Sequence, residues 1–284
     1  MNFAANIARI AALYRYPVKS ACGQLLENAT LEATGLAHDR EWMIVDHRGV
    51  FVTQREQPRL ALLRVTLHES GGVPMGLTLD APDAPALHLP LADFSQPRTV
   101  RVWRDEVQAL DAGDAAARWM SAWLGATFRL VRFAPGNRRL SSMEWTQGVP
   151  APNQFSDGYP ILVLSRASIA DLSRRVGTDL PVNRFRPNLL LEGLQPYDED
   201  RIQELRCGDV QLRLVKPCER CAITTTDQER GERSGDEPLR TLRGYRHDRA
   251  LQGVLFGQNA IVIAGVGARL QVGADMQVTW RMAP

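Results

Sequence analysis

The chain has 284 residues, 44% of them hydrophobic and 23% charged, with a formal net charge of +2. That length holds one large domain or two modest ones with ample core. The near-neutral charge argues against general nucleic-acid binding, and four cysteines are too few for a disulfide scaffold. Met1 to Ala12 lacks a basic region followed by a sustained apolar run, and no stretch approaches the ~18 apolar residues of a membrane span. The sequence therefore predicts a soluble, cytoplasmic protein with no signal peptide.

In chain order, Ile7 to Tyr16 reads as a first strand, ended by Pro17-Val18-Lys19-Ser20, which presents a cation and a hydroxyl. Asp39 to Asp46 reads as a second strand, with His47-Arg48-Gly49 turning it back into Val50 to Thr53. Leu60 to Leu67 is a further predicted strand. Gly71 to Pro97, rich in Pro, Gly and Asp, reads as short strands joined by turns, and Val100 to Trp103 as another strand. Ala116, Trp119, Met120 and Trp123 share one face of a helix over 115–124, with Gly125 as its cap. Phe128 to Phe133 is a strand, and Ala134 to Gln154 a long surface loop of the kind that often carries function.

Tyr159 to Leu164 reads as a buried strand, with Ser165 capping a helix from Arg166 to Val176 that ends at Gly177. The apolar positions of that helix are Ala167, Ala170, Leu172 and Val176. Pro181 to Pro187, holding Arg184 and Arg186, is expected to be extended, and Asn188 to Glu192 a strand. Cys207 to Val215 is a strand that Pro217 should end, because proline has no N–H for a ladder. Leu239 to Arg246 is a short basic helix behind the acidic Asp236-Glu237. Asn259 to Ala264 and Met276 to Trp280 close the chain. Many short strands with about three helices predict a β-barrel-rich α+β protein, with a domain boundary near residue 127.

The chemistry concentrates in Lys216-Pro217-Cys218-Glu219-Arg220-Cys221-Ala222-Ile223-Thr224-Thr225-Thr226. A thiol beside Lys216 and Arg220 should ionise readily, and a thiolate binds a soft metal or attacks an electrophile. A zinc site would need about four ligands, yet there is one C-x-x-C, no H-x-x-x-H, and five scattered histidines. A thioredoxin-like dithiol would want a helix after the first Cys, where Ala222 to Thr226 reads as β-rich. Two inert thiols, or one thiolate giving a single bond to a cofactor-held metal, are the other options, and local sequence does not choose. Cations at strand ends, Lys19 beside Ser20, Arg40, and Arg184-Phe185-Arg186, suit an anion, since guanidinium groups grip phosphate in pairs. No Gly-rich nucleotide loop of the common kinds is present.

Six motifs, in order, carry a family resemblance: Tyr16-Pro17-Val18-Lys19-Ser20, Asp39-Arg40-Glu41-Trp42, Phe155-Ser156-Asp157-Gly158-Tyr159-Pro160, Asn183-Arg184-Phe185-Arg186-Pro187-Asn188, Lys216 to Cys221, and Phe256-Gly257-Gln258-Asn259. The chain resembles MOSC (molybdenum cofactor sulfurase C-terminal) proteins of the branch with an N-terminal β-barrel domain. It looks like the bacterial relatives of the mitochondrial amidoxime-reducing component. The resemblance implies an N-terminal MOSC β-barrel-like domain over 1–127 and a MOSC domain over 128–284. It also implies a molybdenum cofactor, a pyranopterin dithiolene with a phosphate tail, and no need for pyridoxal phosphate. The metal ligand carries over to Cys221, leaving Cys218 a non-ligand neighbour. Lys19, Ser20, Arg40, Arg184, Phe185 and Arg186 match cofactor-holding motifs; Thr225 and Thr226 are candidates near the metal, and Asp157 a substrate-side polar group.

The implied activity is molybdenum-dependent reduction of N-hydroxylated small molecules. Some bacterial relatives carry a C-terminal ferredoxin-like domain. This chain stops at Pro284 without such cysteines, so electrons are expected from a separate protein: a ferredoxin, a flavodoxin-type reductase or a cytochrome. Neither nucleic acid nor membrane is an expected partner. The alternatives are sulfur transfer through a Cys221 persulfide and non-catalytic carriage of the cofactor.

Overall fold

A computed structural model of the chain describes residues 6–71 and 73–282. In chain order its main elements are β1 (Ile7–Arg15), β2 (Trp42–Asp46), β3 (Arg64–Ser70), β4 (Val73–Asp80), β5 (Leu87–Pro90), β6 (Gln96–Val102), β7 (Asp105–Asp111), α1 (Gly113–Leu124) and β8 (Phe128–Phe133). There follow β9 (Ile161–Ser165), α2 (Arg166–Val176), β10 (Leu189–Glu192), β11 (Ile202–Cys207), β12 (Val210–Arg220), α3 (Leu239–Arg246), β13 (Gly253–Ala264) and β14 (Asp275–Trp280). The protein is mostly β, with three α-helices among the described residues.

Seven strands close into a barrel in the order β9-β10-β1-β14-β11-β12-β13, with β13 pairing back onto β9. Closure removes sheet edges that would otherwise invite association. β9 and β10 are parallel, Val163 opposite Leu189, so they need a crossover, and α2 lies between them in sequence. Both strands are near-continuous apolar runs, as strands buried on both faces require. β1 alternates instead, with Ala8 and Ile10 buried between exposed Ile7 and Arg9. Ile10, Leu13, Leu205, Leu212 and Ala260 fill the barrel core. A four-stranded sheet, β2-β8-β7-β6, and the three-stranded β3-β4-β5 make the second body; Trp42, Ile44 and Met120 of α1 share its core. β1, from the N-terminal end, thus pairs with β10 and β14 of the later part of the chain.

The helix caps lie where the sequence puts them. Ser165 accepts a 3.0 Å bond from the Ser168 N–H, and Gly125 and Gly177 take left-handed conformations after α1 and α2. Several expectations need correcting. The first half of the predicted strand over 60–67 is a 3-10 turn, Pro58–Leu62, and the strand starts at Arg64. A strand not anticipated, β7, precedes α1. In α2 the buried apolar side chains are Ile169 and Leu172, while Ala170 is exposed. Pro181 to Pro187 is not extended, since Val182–Arg184 forms a 3-10 turn. Pro217 does not end its strand either: β12 pairs with β13 as far as Arg220 opposite Val254. The register shifts between Leu214 and Lys216 and between Pro217 and Glu219, so the proline falls in an irregular stretch where a missing N–H is tolerated. On β13 the extra residue falls at Phe256-Gly257; Gly257 has φ +84° and approaches the Leu164 side chain so closely that a Cβ would meet it at 2.9 Å. Ala222–Thr225, predicted as β-rich, is a 3-10 turn.

A hairpin, Thr226–Asp227 with Glu232–Arg233, reaches from the barrel to the second body. Gln228 and Gln54 exchange amide bonds of 2.9 and 3.2 Å, and Gln54 also donates to the Ser20 carbonyl at 2.8 Å. At its tip Gly231 has φ +65°, and an added Cβ would lie 2.7 Å from Leu62 Cγ. Gly231→Ala is expected to lower stability by about 1–3 kcal/mol through this overpacking and the unfavourable φ, read as a lower urea midpoint with an unchanged slope.

Candidate functional site

A cleft open to solvent lies between the two bodies. Lys19, Ser20, Arg40, Arg55 and Trp103 come to it from the N-terminal part; Asp157, Phe185, Arg186, Arg220 and Cys221 come from the later part. It therefore gathers seven of the predicted residues: Lys19, Ser20, Arg40, Asp157, Phe185, Arg186 and Cys221. Arg184, Thr225 and Thr226 do not line it. Arg184 lies behind the wall, 3.5 Å from the Thr224 carbonyl, and Thr225 Oγ1 closes the 3-10 turn on the Ala222 carbonyl at 2.8 Å. The Thr226 hydroxyl is buried without a partner among the described residues.

The cationic wall is built around Tyr16, which is fully buried. The Arg40 and Arg186 guanidinium carbons each sit 4.2 Å from its ring centroid. Arg40 donates to Asp39 at 2.5 Å, to Asn188 at 3.1 Å and to the Arg186 carbonyl at 3.2 Å. Arg186 donates through Nη1 to the Ala21 carbonyl at 2.6 Å, while its Nη2 is buried with no partner among the described residues. Arg220 bonds the Phe185 carbonyl at 2.7 Å and the Cys218 sulfur at 3.0 Å, and its Nε is likewise orphaned. Burial pushes the Arg186 guanidinium down to about 10, which still leaves it charged at neutral pH. Buried donors without partners are costly, and guanidinium groups pair readily with anions.

The backbone stores strain at the same place. Ser20, Arg40, Trp103 and Arg186 have φ of 66°, 50°, 57° and 56°. Such conformations are uncommon outside glycine, cost of order 1 kcal/mol each, and persist only where the surroundings hold them. The motif residues at Lys19-Ser20, Arg40 and Arg186 thus turn their side chains from sharp backbone corners.

Lys19, only 4% exposed, donates to the Phe155 carbonyl at 2.8 Å and to Asp157 Oδ1 at 2.5 Å. Trp103 Nε1 donates to the same oxygen at 3.1 Å. The loss of water around it in the cleft would by itself raise the Asp157 carboxyl; the Lys19 charge and these two bonds instead hold it well below the usual carboxylate range. A folded-state value below the unfolded one stabilises above the unfolded value and fades as pH falls through the folded one. The stability difference between the native protein and Asp157→Asn should therefore be flat from about pH 5 to 8 and shrink below about pH 4, measured by thermal unfolding across pH.

Cys221 is exposed and opens the 3-10 turn, with φ −123° and ψ −178°. The cations flanking it do not point at its sulfur: Lys216 pairs with Glu219 at 2.6 Å, and Arg220 takes the Cys218 sulfur. Because β12 stays extended to Arg220, Cys218 and Cys221 are three extended residues apart, about 10 Å between Cα atoms. A disulfide spans at most about 7 Å, so a dithiol redox pair does not fit this backbone. Among the described residues no group of three His, Cys, Asp or Glu side chains is placed to hold a metal. A metal at Cys221 would need its other ligands from a cofactor.

Sequence reasoning missed Trp103, Arg55 and Arg139. Arg139, 6% exposed, donates to Asp105 at 2.6 Å, to Asn153 at 2.5 Å and to the Ser156 carbonyl at 2.6 Å, fastening the segment that carries Asp157. Only its place in the loop over 134–154 marked it. Arg220, read as a thiol activator, does take one thiol of the pair, the Cys218 sulfur, and its Nε has no partner among the described residues.

Residues 7–127 match the family model of the MOSC N-terminal beta barrel domain, and residues 150–277 that of the MOSC domain. The chain is 37% identical over 271 residues to mitochondrial amidoxime-reducing component 1 of Mus musculus, covering 89% of this chain and 77% of that protein. The Homo sapiens protein of the same name is 35% identical over 265 residues, covering 90% and 77%. Mitochondrial amidoxime reducing component 2 of Bos taurus is 33% identical over 250 residues, covering 85% and 73%. Among the described residues no helix is long and apolar enough to cross a membrane.

Proposed function

The chain belongs to the family of MOSC-domain proteins that includes the mitochondrial amidoxime-reducing components, and from that membership we propose that it is an oxidoreductase cleaving the N–O bond of N-hydroxylated small molecules with a molybdenum cofactor. The observation that carries the reading is one exposed thiol, Cys221, in a cleft also lined by Lys19, Arg40, Arg186 and Arg220. That donor set fits a cofactor with an anionic tail and a soft metal short of one sulfur ligand.

In this reading Cys221 gives the metal its protein ligand. Arg40 and Arg186, fixed by Tyr16, hold the anionic part of the cofactor with Lys19, Ser20 and Arg220. Arg184 backs the turn of Thr224, Thr225 and Thr226 behind the cysteine, and Phe185 provides an apolar wall. The cofactor, when bound, supplies two electrons to the substrate. Two protons complete the change of an N–OH into an N–H plus water, and the electrons come from a separate donor protein. Asp157, held ionised, accepts a hydrogen bond from the substrate N–H and orients it; its depressed carboxyl is a poor proton donor at neutral pH. Tyr159, whose phenol burial pushes up to about 12, stays protonated in the same cleft.

We extend the reading to a domain division near residue 127, with β1 lent to the barrel of the later part, and to a cytoplasmic location. The test is to purify the protein from a host that makes the cofactor, then measure molybdenum and benzamidoxime reduction with a chemical reductant. About one metal per chain and turnover are expected. A 32 Da adduct on Cys221 without metal would favour sulfur transfer instead. Bound metal with no turnover, and release to an apo-enzyme, would favour a carrier.

A further inference from the structure

Trp103 lies at the mouth of the cleft and has no part in holding a cofactor in the reading above. It sits in a two-residue hairpin loop between β6 and β7, closed by the Val102–Asp105 pair. Its φ is 57°, while Arg104 stays out of the left-handed region. In such loops the first position favours glycine; a bulky indole there is strained. Trp103 is 44% exposed, yet its ring packs against Phe51, at 5.0 Å between centroids, with the Arg55 guanidinium 4.7 Å from its centre. Its N–H is committed to Asp157 Oδ1, the oxygen Lys19 also takes, and Asp157 Oδ2 has no partner among the described residues. Asp157 itself is 68% exposed on its side chain. A strained, buttressed aromatic plate thus stands beside a carboxylate with one oxygen free.

We infer that Trp103 is a specificity-determining residue: its ring is a stacking platform that favours substrates in which the carbon bearing the N-hydroxylated nitrogen also carries a flat, unsaturated group, while Asp157 Oδ2 takes the adjacent N–H. The inference rests on the reductase reading for its substrate, but the platform itself is a property of the cleft. Stacking of a planar group on an aromatic side chain changes affinity by about tenfold. The Phe51 and Arg55 contacts fix the indole in advance, so little ordering is lost on binding.

The test uses the cofactor-loaded protein, Trp103→Gly and Trp103→Phe. Glycine suits the local φ, so removal of the ring relieves backbone strain rather than adding to it. Phenylalanine keeps a ring and loses the N–H. The ratio of kcat/KM for benzamidoxime to that for acetamidoxime is expected to fall about tenfold in Trp103→Gly and to stay within threefold in Trp103→Phe. In parallel, isothermal titration with benzamidine and acetamidine, which need no turnover, should show the same preference lost in Trp103→Gly. A ratio unchanged in Trp103→Gly, or lost equally in both variants, overturns the platform. Should the native protein reduce neither amidoxime, the reductase reading fails, and the titration alone decides whether the platform stands.

Discussion

Cys221→Ala is expected to reduce N–O reduction by more than about a hundredfold and to leave the purified protein with little molybdenum. The size follows from comparison: losing an outer partner of a metal ligand already costs about 10–100-fold in affinity or activity, and Cys221 would be the ligand itself. No neighbour can replace it. Cys218 lies three extended residues away with its sulfur bonded to Arg220, and no His, Cys, Asp or Glu cluster stands by among the described residues. Because the Cys221 side chain is exposed and makes no recorded bond, the variant should fold with an unchanged unfolding midpoint. Metal analysis together with single-turnover reduction of benzamidoxime checks both halves. A variant that keeps its metal and its rate would remove Cys221 from the chemistry.

Tyr16→Ala should be among the most destabilising single changes in the chain, by about 3–5 kcal/mol, the usual cost of deleting a buried aromatic ring. In a protein of this size that is a fall of roughly 10 °C in Tm. Tyr16 is fully buried, its hydroxyl donates to the Pro187 carbonyl at 3.1 Å, its backbone N–H donates to Asp39 at 2.8 Å, and two guanidinium groups rest on its ring. Removing the ring leaves Arg40 and Arg186 beside a void with their mutual repulsion unrelieved, so cofactor retention should fall with stability. Tyr16→Phe keeps the ring and forfeits only the hydroxyl bond, about 1–2 kcal/mol. Thermal unfolding of the two variants separates the contributions: similar losses would mean that the hydroxyl, and not the stack, supports the wall.

Asp157 and Trp103 connect these effects to selectivity. The N-terminal part supplies Lys19 and Trp103, the later part supplies Asp157, and one carboxylate oxygen receives both donors. Any change that shifts one body against the other should disturb that junction first, and the Gln54–Gln228 exchange and the Gly231 contact are among the contacts that fasten the bodies together. A Gly231→Ala variant is therefore expected to weaken substrate binding as well as stability.

Much of the architecture was legible from local chemistry. Strand-like runs marked β1, β9 and β10, and Ser165, Gly125 and Gly177 bounded their helices because capping depends on neighbours three or four residues away. The cations at Lys19, Arg40 and Arg186 suited an anion, while the cysteine pair by itself left inert thiols and a single metal-binding thiolate both open. What folding alone decided was long-range. Pairing of β13 with β9 closes the barrel, and β1 enters between strands more than 170 residues away in sequence. Pro217 could remain in a strand because its partner absorbs an extra residue at Phe256-Gly257, a compensation invisible from one side of a ladder. Trp103 gained its place from left-handed backbone and a partner 54 residues away, and Arg139 from partners 14 to 34 residues away, and neither leaves a local pattern. Spacing reports which face a side chain takes; only the packed chain determines which other faces it meets.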